Sequence, residues 1–340
     1  MSGVSGKSQG NILDVQDLKI HYPVHAGVFL RKVGEVKAVD GVSFSVKAGE
    51  TLGLVGESGC GKTTVGKGIM RLINVTSGRV DFTTKAGKTV DLVPLDRGGM
   101  RPLRSEIQMI YQDPFSSLNP RWSVGDIISE PLDVHMPGLS AGERADKVAW
   151  LLEKVGLRGE QAHRYPHEFS GGQRQRVGIA RALATAPRLV LADEPVSALD
   201  VSIQAQVINL MQDLQEEFGL SYIFIAHGLS VVEHISHRIA VMYLGNLVEI
   251  GPAREVYAEP IHPYTRALIS AVPLPDPSLK RPDRQRLQGE VPSPLAKPSG
   301  CPFRTRCPQA IASCAEQTPP LVEVSPSRFV ACLVVAGAGG

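Results

Sequence analysis

The chain has 340 residues, which is enough for one large domain with an appendage or for two modest domains. Lysine and arginine total 36 and aspartate and glutamate 34, so the charge balance gives no electrostatic argument for a nucleic-acid partner. The longest apolar runs, at 189–192 and 239–244, fall far short of the ~20 residues that cross a bilayer. Residues 1–10 are rich in Ser and Gly and predict a flexible tail rather than a secretory signal, so we expect a cytoplasmic chain.

The first predicted elements are strands. Alternating segments at 13–20 and 42–46 predict a β-rich region, with a longer insertion around 25–35 between them. The apolar run 51–55 predicts a strand that leads into a glycine-rich loop, and 62–73 has the periodicity of a helix. The glycine-rich loop is therefore expected at a strand-to-helix turn.

This loop matches the eight-position phosphate loop of nucleotide-binding proteins, with Gly56, Glu57, Ser58, Gly59, Cys60, Gly61, Lys62 and Thr63 in order. The glycines let backbone N–H groups surround phosphate oxygens, and the N-terminus of the following helix adds positive potential. We expect Lys62 to reach the β and γ phosphates and Thr63 to bind Mg²⁺, with Thr64 also in the ATP site. A chance glycine turn is the alternative. Cys60 fills the loop or, alternatively, is a reactive thiol.

The middle of the chain predicts helices and then an alternation of strands and helices. Helices are expected at 124–132 and 141–155, within an inserted helical subdomain at about 114–170. The alternation that follows predicts a parallel sheet covered on both faces. Its elements are a helix at 172–183, a strand at 189–192, a helix at 202–218, a strand at 222–226 and a helix at 229–235.

Two acids end the apolar run at 189–192. In a parallel sheet this places Asp193 and Glu194 at the carboxyl edge, where ligands bind. We expect Asp193 to hold Mg²⁺ through water and Glu194 to act as the general base on the attacking water, a role worth ~10²–10⁴ in rate. The alternative is a surface carboxylate at a strand end.

Phe169 precedes Ser170, Gly171, Gly172 and Gln173, and this run resembles the signature of the ATP-binding subunits of ABC transporters. The resemblance covers nearly the whole chain, with Phe169 where Leu is commoner. It implies an α/β, RecA-like P-loop NTPase fold with an antiparallel β subdomain, a helical insertion and a small Cys-containing extension. It also implies that Ser170 and Gly172 contact the γ-phosphate held by an opposite subunit. A helix-capping turn is the structural alternative, and both can be true.

Other elements of this family follow in order. Gln112 matches the Q-loop, which senses Mg²⁺ and the permease, and Ser197 to Asp200 match the D-loop. His227 matches the switch histidine that bonds the γ-phosphate, although Gly228 stands where relatives usually carry Asp. Tyr22 matches the aromatic that stacks on adenine, and a buried core tyrosine is the alternative.

Within the family, the stretches 111–120, 262–265, 292–294 and 300–304 resemble the ATPases of dipeptide and oligopeptide importers, and the insertion at 27–39 resembles their F-type subunit. The resemblance implies ATP and Mg²⁺ as cofactors. It implies as partners a paralogous ATPase, two permeases at the inner membrane and an extracytoplasmic binding protein. Relatives carry nickel complexes, opines or sugars, and a non-transport ABC ATPase is the remaining alternative.

The last part of the chain is rich in proline and contains four cysteines. We expect the ATPase domain to span 11–255 and a C-terminal extension to span 256–340. In some relatives four such cysteines ligate a [4Fe–4S] cluster, which the resemblance implies here for Cys301, Cys307, Cys314 and Cys332. A structural Zn²⁺ site and free or oxidised thiols are the alternatives.

Overall fold

The computed structural model describes residues 10–26, 31–272, 287 and 289–336. Most of the predicted tail, residues 27–30 of the insertion and the prolines at 273, 275 and 277 lie outside the described residues. The chain folds into two compact units. Within the described residues, the first unit comprises 10–14, 45–51 and 80–225, and the second comprises 15–26, 31–44, 52–79, 226–272, 287 and 289–336.

The strands are numbered here in chain order. They are β1 Asn11–Ala26, β2 Arg31–Lys47, β3 Thr51–Val55, β4 Ser77–Thr83, β5 Thr89–Asp91, β6 Ile107–Ile110, β7 Leu189–Asp193, β8 Ser221–Ile225, β9 Arg238–Tyr243, β10 Asn246–Pro252, β11 Val322–Ser325 and β12 Arg328–Val330. One sheet has the order β2-β1-β4-β5, in which β4 and β5 are antiparallel. The predicted β-rich region is thus confirmed, and its strands are longer than predicted.

The helices are numbered in the same way. They are α1 Lys62–Ile69, α2 Arg97–Leu103, α3 Pro114–Ser117, α4 Val124–His135, α5 Ala141–Lys154, α6 Gly171–Leu183, α7 Val201–Phe218, α8 Leu229–Ile235, α9 Ala253–Ala258, α10 Pro263–Ser270, α11 Ser313–Glu316 and α12 Leu333–Ala336. Among the described residues, none of these helices has the length and apolar character of a membrane span.

The first unit contains the parallel sheet that the alternation predicts. Strands β6, β7 and β8 lie in the order β8-β7-β6, and both pairs are parallel. All residues of β7 and β8 are buried, as expected for apolar strands that helices cover on both faces. Helices α4, α5 and α6 pack against one another between β6 and β7 in the chain.

The second unit has its own run of strands, in the order β11-β12-β10-β9-β3. Strands β3 and β9 are parallel, while β9, β10, β12 and β11 pair antiparallel in succession. The C-terminal strands β11 and β12 therefore extend the sheet of the second unit.

Two predicted helix ends need correction. Helix α1 ends at Ile69 rather than at residue 73, because Arg71 has a left-handed φ of 52° that a helix cannot continue through. Helix α4 runs three residues past the predicted end at Leu132 and contains Pro131. Proline removes one backbone donor here without ending the helix, and a capping box at Ser123 and Asp126 fixes the start of the helix.

Candidate functional site

The phosphate loop lies in the second unit, between β3 and α1. Gly56, Gly59 and Gly61 all have positive φ, at 152°, 77° and 107°. A Cβ on Gly56 would lie 2.2 Å from the Met242 carbonyl oxygen, and one on Gly61 would lie 2.2 Å from the Ala38 carbonyl oxygen. Both positions therefore require glycine for space as well as for conformation.

Lys62 opens α1 and is buried, with 4% of its surface exposed. Its Nζ donates to the carbonyl oxygens of Gly56, at 2.8 Å, and of Glu57, at 3.1 Å. The same nitrogen lies 3.5 Å from Nδ1 of His227, which follows β8. The ammonium group is thus held over the loop, and the predicted lysine and switch histidine are neighbours in the second unit.

Glu57 is held by two residues that the sequence reasoning missed. Its backbone N–H donates to the Tyr264 hydroxyl at 2.9 Å, and its carboxylate accepts from Nη1 of Arg306 at 2.7 Å and Nη2 at 3.1 Å. The hydrogen bonds to Glu57 raise the pKa of Arg306. The family resemblance includes the stretch 262–265, but it does not suggest that the Tyr264 hydroxyl reaches the phosphate loop. No sequence pattern indicates Arg306.

The remaining loop and nucleotide residues differ in exposure. Burial raises the pKa of the Cys60 thiol, which favours the filler role over the reactive thiol. Ser58 and His227 are exposed, while Thr63 and Thr64 are half-buried in the first turn of α1. Tyr22 is 41% exposed, so the alternative of a buried core tyrosine is wrong.

The two predicted acids lie at the end of β7 in the first unit. Asp193 and Glu194 are 3% and 6% exposed, so the alternative of a surface carboxylate is wrong. Glu194 has a left-handed φ of 48°, and its N–H donates to the Ile225 carbonyl at 2.9 Å. Such strain in a residue other than glycine concentrates at functional sites.

Gln112 reaches Glu194 within the first unit. Its Nε2 donates to Oε2 of Glu194 at 2.8 Å. This bond orients the carboxylate that the sequence predicts to be the general base. Threonine hydroxyl, amide and carboxylate oxygens of the kind predicted at Thr63, Gln112 and Asp193 are also hard ligands that suit Mg²⁺.

The signature residues begin α6, also in the first unit. The Ser170 hydroxyl accepts from the Gln173 N–H at 3.3 Å, and the Gln173 side chain accepts from the Ser170 N–H at 3.0 Å. This reciprocal capping box confirms the helix cap. A Cβ on Gly172 would lie 2.5 Å from Cγ2 of Ile203, so glycine lets α6 approach the start of α7.

The D-loop leads into α7. Asp200 caps that helix by accepting from the Ile203 N–H at 3.0 Å, and this bond lowers the pKa of Asp200. The Ser197 hydroxyl donates to the Glu194 carbonyl at 3.1 Å. The D-loop is therefore bonded to the backbone of the candidate base. Gly228 stands at the N-cap position just before α8 and has no side chain to cap the helix, whereas an Asp there would supply a cap.

The four C-terminal cysteines lie near one another. Burial raises the pKa of Cys301 to about 11, and Cys314, Cys307 and Cys332 add to that shift. Yet no group of three His, Cys, Asp or Glu side chains among the described residues could hold a metal ion. Charge effects reach farther than a metal–thiolate bond, so this proximity does not amount to a formed metal centre.

Two family models match the sequence. The model described as ABC transporter matches residues 39–197, and the model described as oligopeptide/dipeptide transporter, C-terminal region, matches residues 248–314. The second match falls on the segment that contains Tyr264 and Arg306.

Similar proteins agree with these matches. The oligopeptide transport ATP-binding protein AppF of Bacillus subtilis is 55% identical over 97% of this chain and 99% of its own length, and OppF of Salmonella typhimurium is 54% identical over 95% and 96%. A dimeric post-hydrolysis structure of the ATP-binding cassette MJ0796, bound to ADP and Pi, is 27% identical with a TM-score of 0.62 over 71% of this chain and 99% of that chain. The chain therefore belongs to the ABC transporter family, among the oligopeptide transport ATP-binding proteins.

Proposed function

We propose that this chain binds and hydrolyses ATP to drive the uptake of oligopeptides by an ABC importer. The observation that carries the proposal is the phosphate loop, in which Gly56 and Gly61 admit no side chain and the Lys62 ammonium is held over the loop carbonyls. This arrangement suits a polyphosphate, because backbone N–H groups and one fixed cation can surround its oxygens.

The hydrolysis step assigns one task to each residue. Lys62 donates to the β- and γ-phosphate oxygens, and His227 bonds the γ-phosphate. Glu194, held by Gln112, accepts a proton from the water that attacks the γ-phosphorus, and the bridging oxygen leaves with ADP. Thr63, Gln112 and, through water, Asp193 would supply oxygen ligands for Mg²⁺, which would neutralise phosphate charge.

Other residues position the nucleotide. Tyr22, exposed on the second unit, stacks on adenine. The backbone of residues 56–64 surrounds the phosphates. Residues 170–173 of one ATPase subunit contact the ATP of another, with Ser197 and Asp200 beside them. The dimeric MJ0796 cassette supports this arrangement, as does the exposure of Ser170, which caps α6.

The partners follow from the relatives. We assign to the complex a paralogous ATPase, two membrane permeases and an extracytoplasmic binding protein, with this chain on the cytoplasmic face of the membrane. The names of the relatives support oligopeptides as cargo rather than nickel complexes, opines or sugars. We also propose an ATPase domain at 11–255 with a helical subdomain at about 114–170, and an extension at 256–340.

The general base is tested by Glu194→Gln in the assembled transporter. We expect steady-state ATP hydrolysis to fall by about 10²–10⁴ while ATP binding remains, because the amide cannot take the proton. Glu216→Gln, an identical change at an exposed position of α7, serves as the control and should leave hydrolysis unchanged. Hydrolysis by Glu194→Gln at the control rate would refute the role of Glu194.

The family resemblance also leads us to propose a [4Fe–4S] cluster on the four C-terminal cysteines. Among the described residues, no group of three His, Cys, Asp or Glu side chains is placed to hold a metal ion, so no step of hydrolysis is assigned to the cluster. An anaerobic preparation should contain about four iron atoms per chain. Zinc without iron, or neither metal, would contradict the proposal.

A further inference from the structure

Each polar group of Glu57 in the phosphate loop has a partner, and two of these partners lie far away in sequence. Its N–H donates to Tyr264, its carbonyl accepts from Lys62, and its carboxylate accepts two bonds from Arg306. Tyr264 and Arg306 lie 207 and 249 positions later in the chain. The conformation of the loop therefore depends on the C-terminal part of the second unit.

Arg306 is fixed in turn by aromatic side chains. It is 9% exposed, and its guanidinium lies 5.9 Å from the ring centre of Tyr243. The Phe303 ring packs edge-on against Tyr243 at 5.2 Å and also contacts Tyr264 at 5.4 Å. Because these rings are buried, Arg306 cannot leave Glu57 without disturbing the packing around it.

Tyr264 is fixed by a second set of bonds. The buried carboxylate of Glu249 accepts from the N–H groups of Ile261 and His262 and pairs with Arg328 at 3.0 Å. Nδ1 of His262 then accepts from the Tyr264 N–H at 3.1 Å. A continuous series of hydrogen bonds thus leads from β10 to the phosphate loop.

The charge at position 57 explains why such support matters. A triphosphate brings several negative charges to the loop, and an unpaired carboxylate at its second residue would repel them. A bidentate guanidinium compensates that charge and also fixes its direction. The loop is then held ready before the nucleotide arrives, which reduces the ordering that binding requires.

We propose that Arg306 is a positioning residue for ATP binding, which neutralises Glu57 and holds the phosphate loop in its phosphate-accepting form. This inference rests on the proposed binding of ATP by that loop. It gives the C-terminal extension a direct role in nucleotide affinity, through one ion pair.

The test is ATP binding by the full-length chain with Mg²⁺, measured by calorimetry. Arg306→Met should weaken ATP binding about tenfold, which is the scale of one charge-assisted bond. Glu57→Gln/Arg306→Met should regain most of that affinity, because the repelling carboxylate is gone. Adenosine, which has no phosphate, should bind the wild type and Arg306→Met equally.

Arg304→Met is the matched control. Arg304 lies two positions away and bonds to Ser299 rather than to the loop, so its loss removes the same charge from the same segment. We expect ATP affinity to remain that of the wild type. If Arg306→Met does not fold, Arg306→Lys keeps the charge without the fork and should bind ATP more weakly than Arg304→Met.

Two results would overturn the role of Arg306. One is equal ATP affinity in the Arg306 and Arg304 variants. The other is a loss in Arg306→Met that Glu57→Gln does not relieve, because charge compensation requires that relief. A wild-type chain that does not bind ATP would instead contradict the proposed function, so the two failures are distinguishable.

Discussion

Two glycine-containing helix starts are proposed to contact phosphate, and they are built differently. The phosphate loop before α1 is held by Tyr264 and Arg306, which lie more than two hundred positions away in sequence. The signature at the start of α6 is held by its own capping box, between Ser170 and Gln173. One is supported by distant residues of its unit, and the other by residues three positions apart.

This difference suits the two proposed tasks. A loop that grips the triphosphate of its own subunit gains affinity when it is already ordered. A helix start that contacts the nucleotide of another subunit has to bind and release that nucleotide in each cycle. The exposed Ser170 is bonded to Gln173 of its own helix, so nucleotide binding there does not disturb distant parts of the fold. We therefore expect substitutions far away in sequence to change nucleotide binding by the phosphate loop. Only substitutions within a few residues of the signature should change the function of the signature.

The largest effect is expected at Gly61. Gly61→Ala would place Cβ 2.2 Å from the Ala38 carbonyl oxygen, so the loop must move and ATP binding should be lost. Gly59→Ala is the matched variant, because Gly59 has positive φ but nothing within 4 Å of a new Cβ. It should weaken binding only about tenfold, from ~1–2 kcal/mol of backbone strain. Equal ATP affinities in the two variants would contradict the close approach.

The next effect tests the distant support of the loop. Glu249→Ala takes from the buried Arg328 its carboxylate partner, leaving only the Glu259 carbonyl, and removes the acceptor for the Ile261 and His262 N–H groups. We expect the free energy of unfolding to fall by about 3–5 kcal/mol, measured by urea denaturation. Glu323→Ala, on the exposed β11, removes one exposed bond from the Ser327 N–H and should lower it by only about 1 kcal/mol. A similar loss of unfolding free energy in both variants would show that the buried Glu249–Arg328 pair stabilises the fold no more than an exposed carboxylate does.

The same contrast explains which features the sequence could reveal. The capping box from Ser170 to Gln173 and the loop glycines lie within a few residues of each other, so a motif contains them. The parallel strands β7 and β8 are predictable because burial on both faces requires a continuous apolar run. Local spacing and composition therefore predict the sheet and both of the turns that are proposed to bind phosphate.

The contacts of Glu57 could not be predicted in that way. Its pairing with Arg306 depends on how β9, α10 and the segment around Phe303 pack together, and no local sequence pattern predicts that packing. The early end of α1 depends on the left-handed conformation of Arg71, and arginine is not a residue type from which that conformation is expected. The bond from Gln112 to Glu194 joins two predicted residues, but its existence required the fold.

A pH effect of intermediate size is expected from His262. Burial lowers the pKa of His262 from 6.5 to about 3. Between these values the unfolded chain binds a proton that the folded chain does not, so stability falls as the pH drops below 6.5. His262→Asn keeps an acceptor for the Tyr264 N–H without titrating. From pH 7 to pH 5 the wild type should lose about 2 kcal/mol more than this variant in urea unfolding. Parallel losses would show that His262 titrates normally.

The smallest effect on stability, and the most local, is expected at the signature. Ser170→Ala and Ser140→Ala remove the same kind of capping box, from α6 and α5, so each should lower the free energy of unfolding by about 1 kcal/mol. Only Ser170 is proposed to contact the phosphate of another subunit. ATP hydrolysis by the assembled transporter should therefore fall about tenfold in Ser170→Ala, the scale of one bond to a charged group, and stay unchanged in Ser140→Ala. If both variants hydrolyse ATP at the same rate, Ser170 is a helix cap without a catalytic contact.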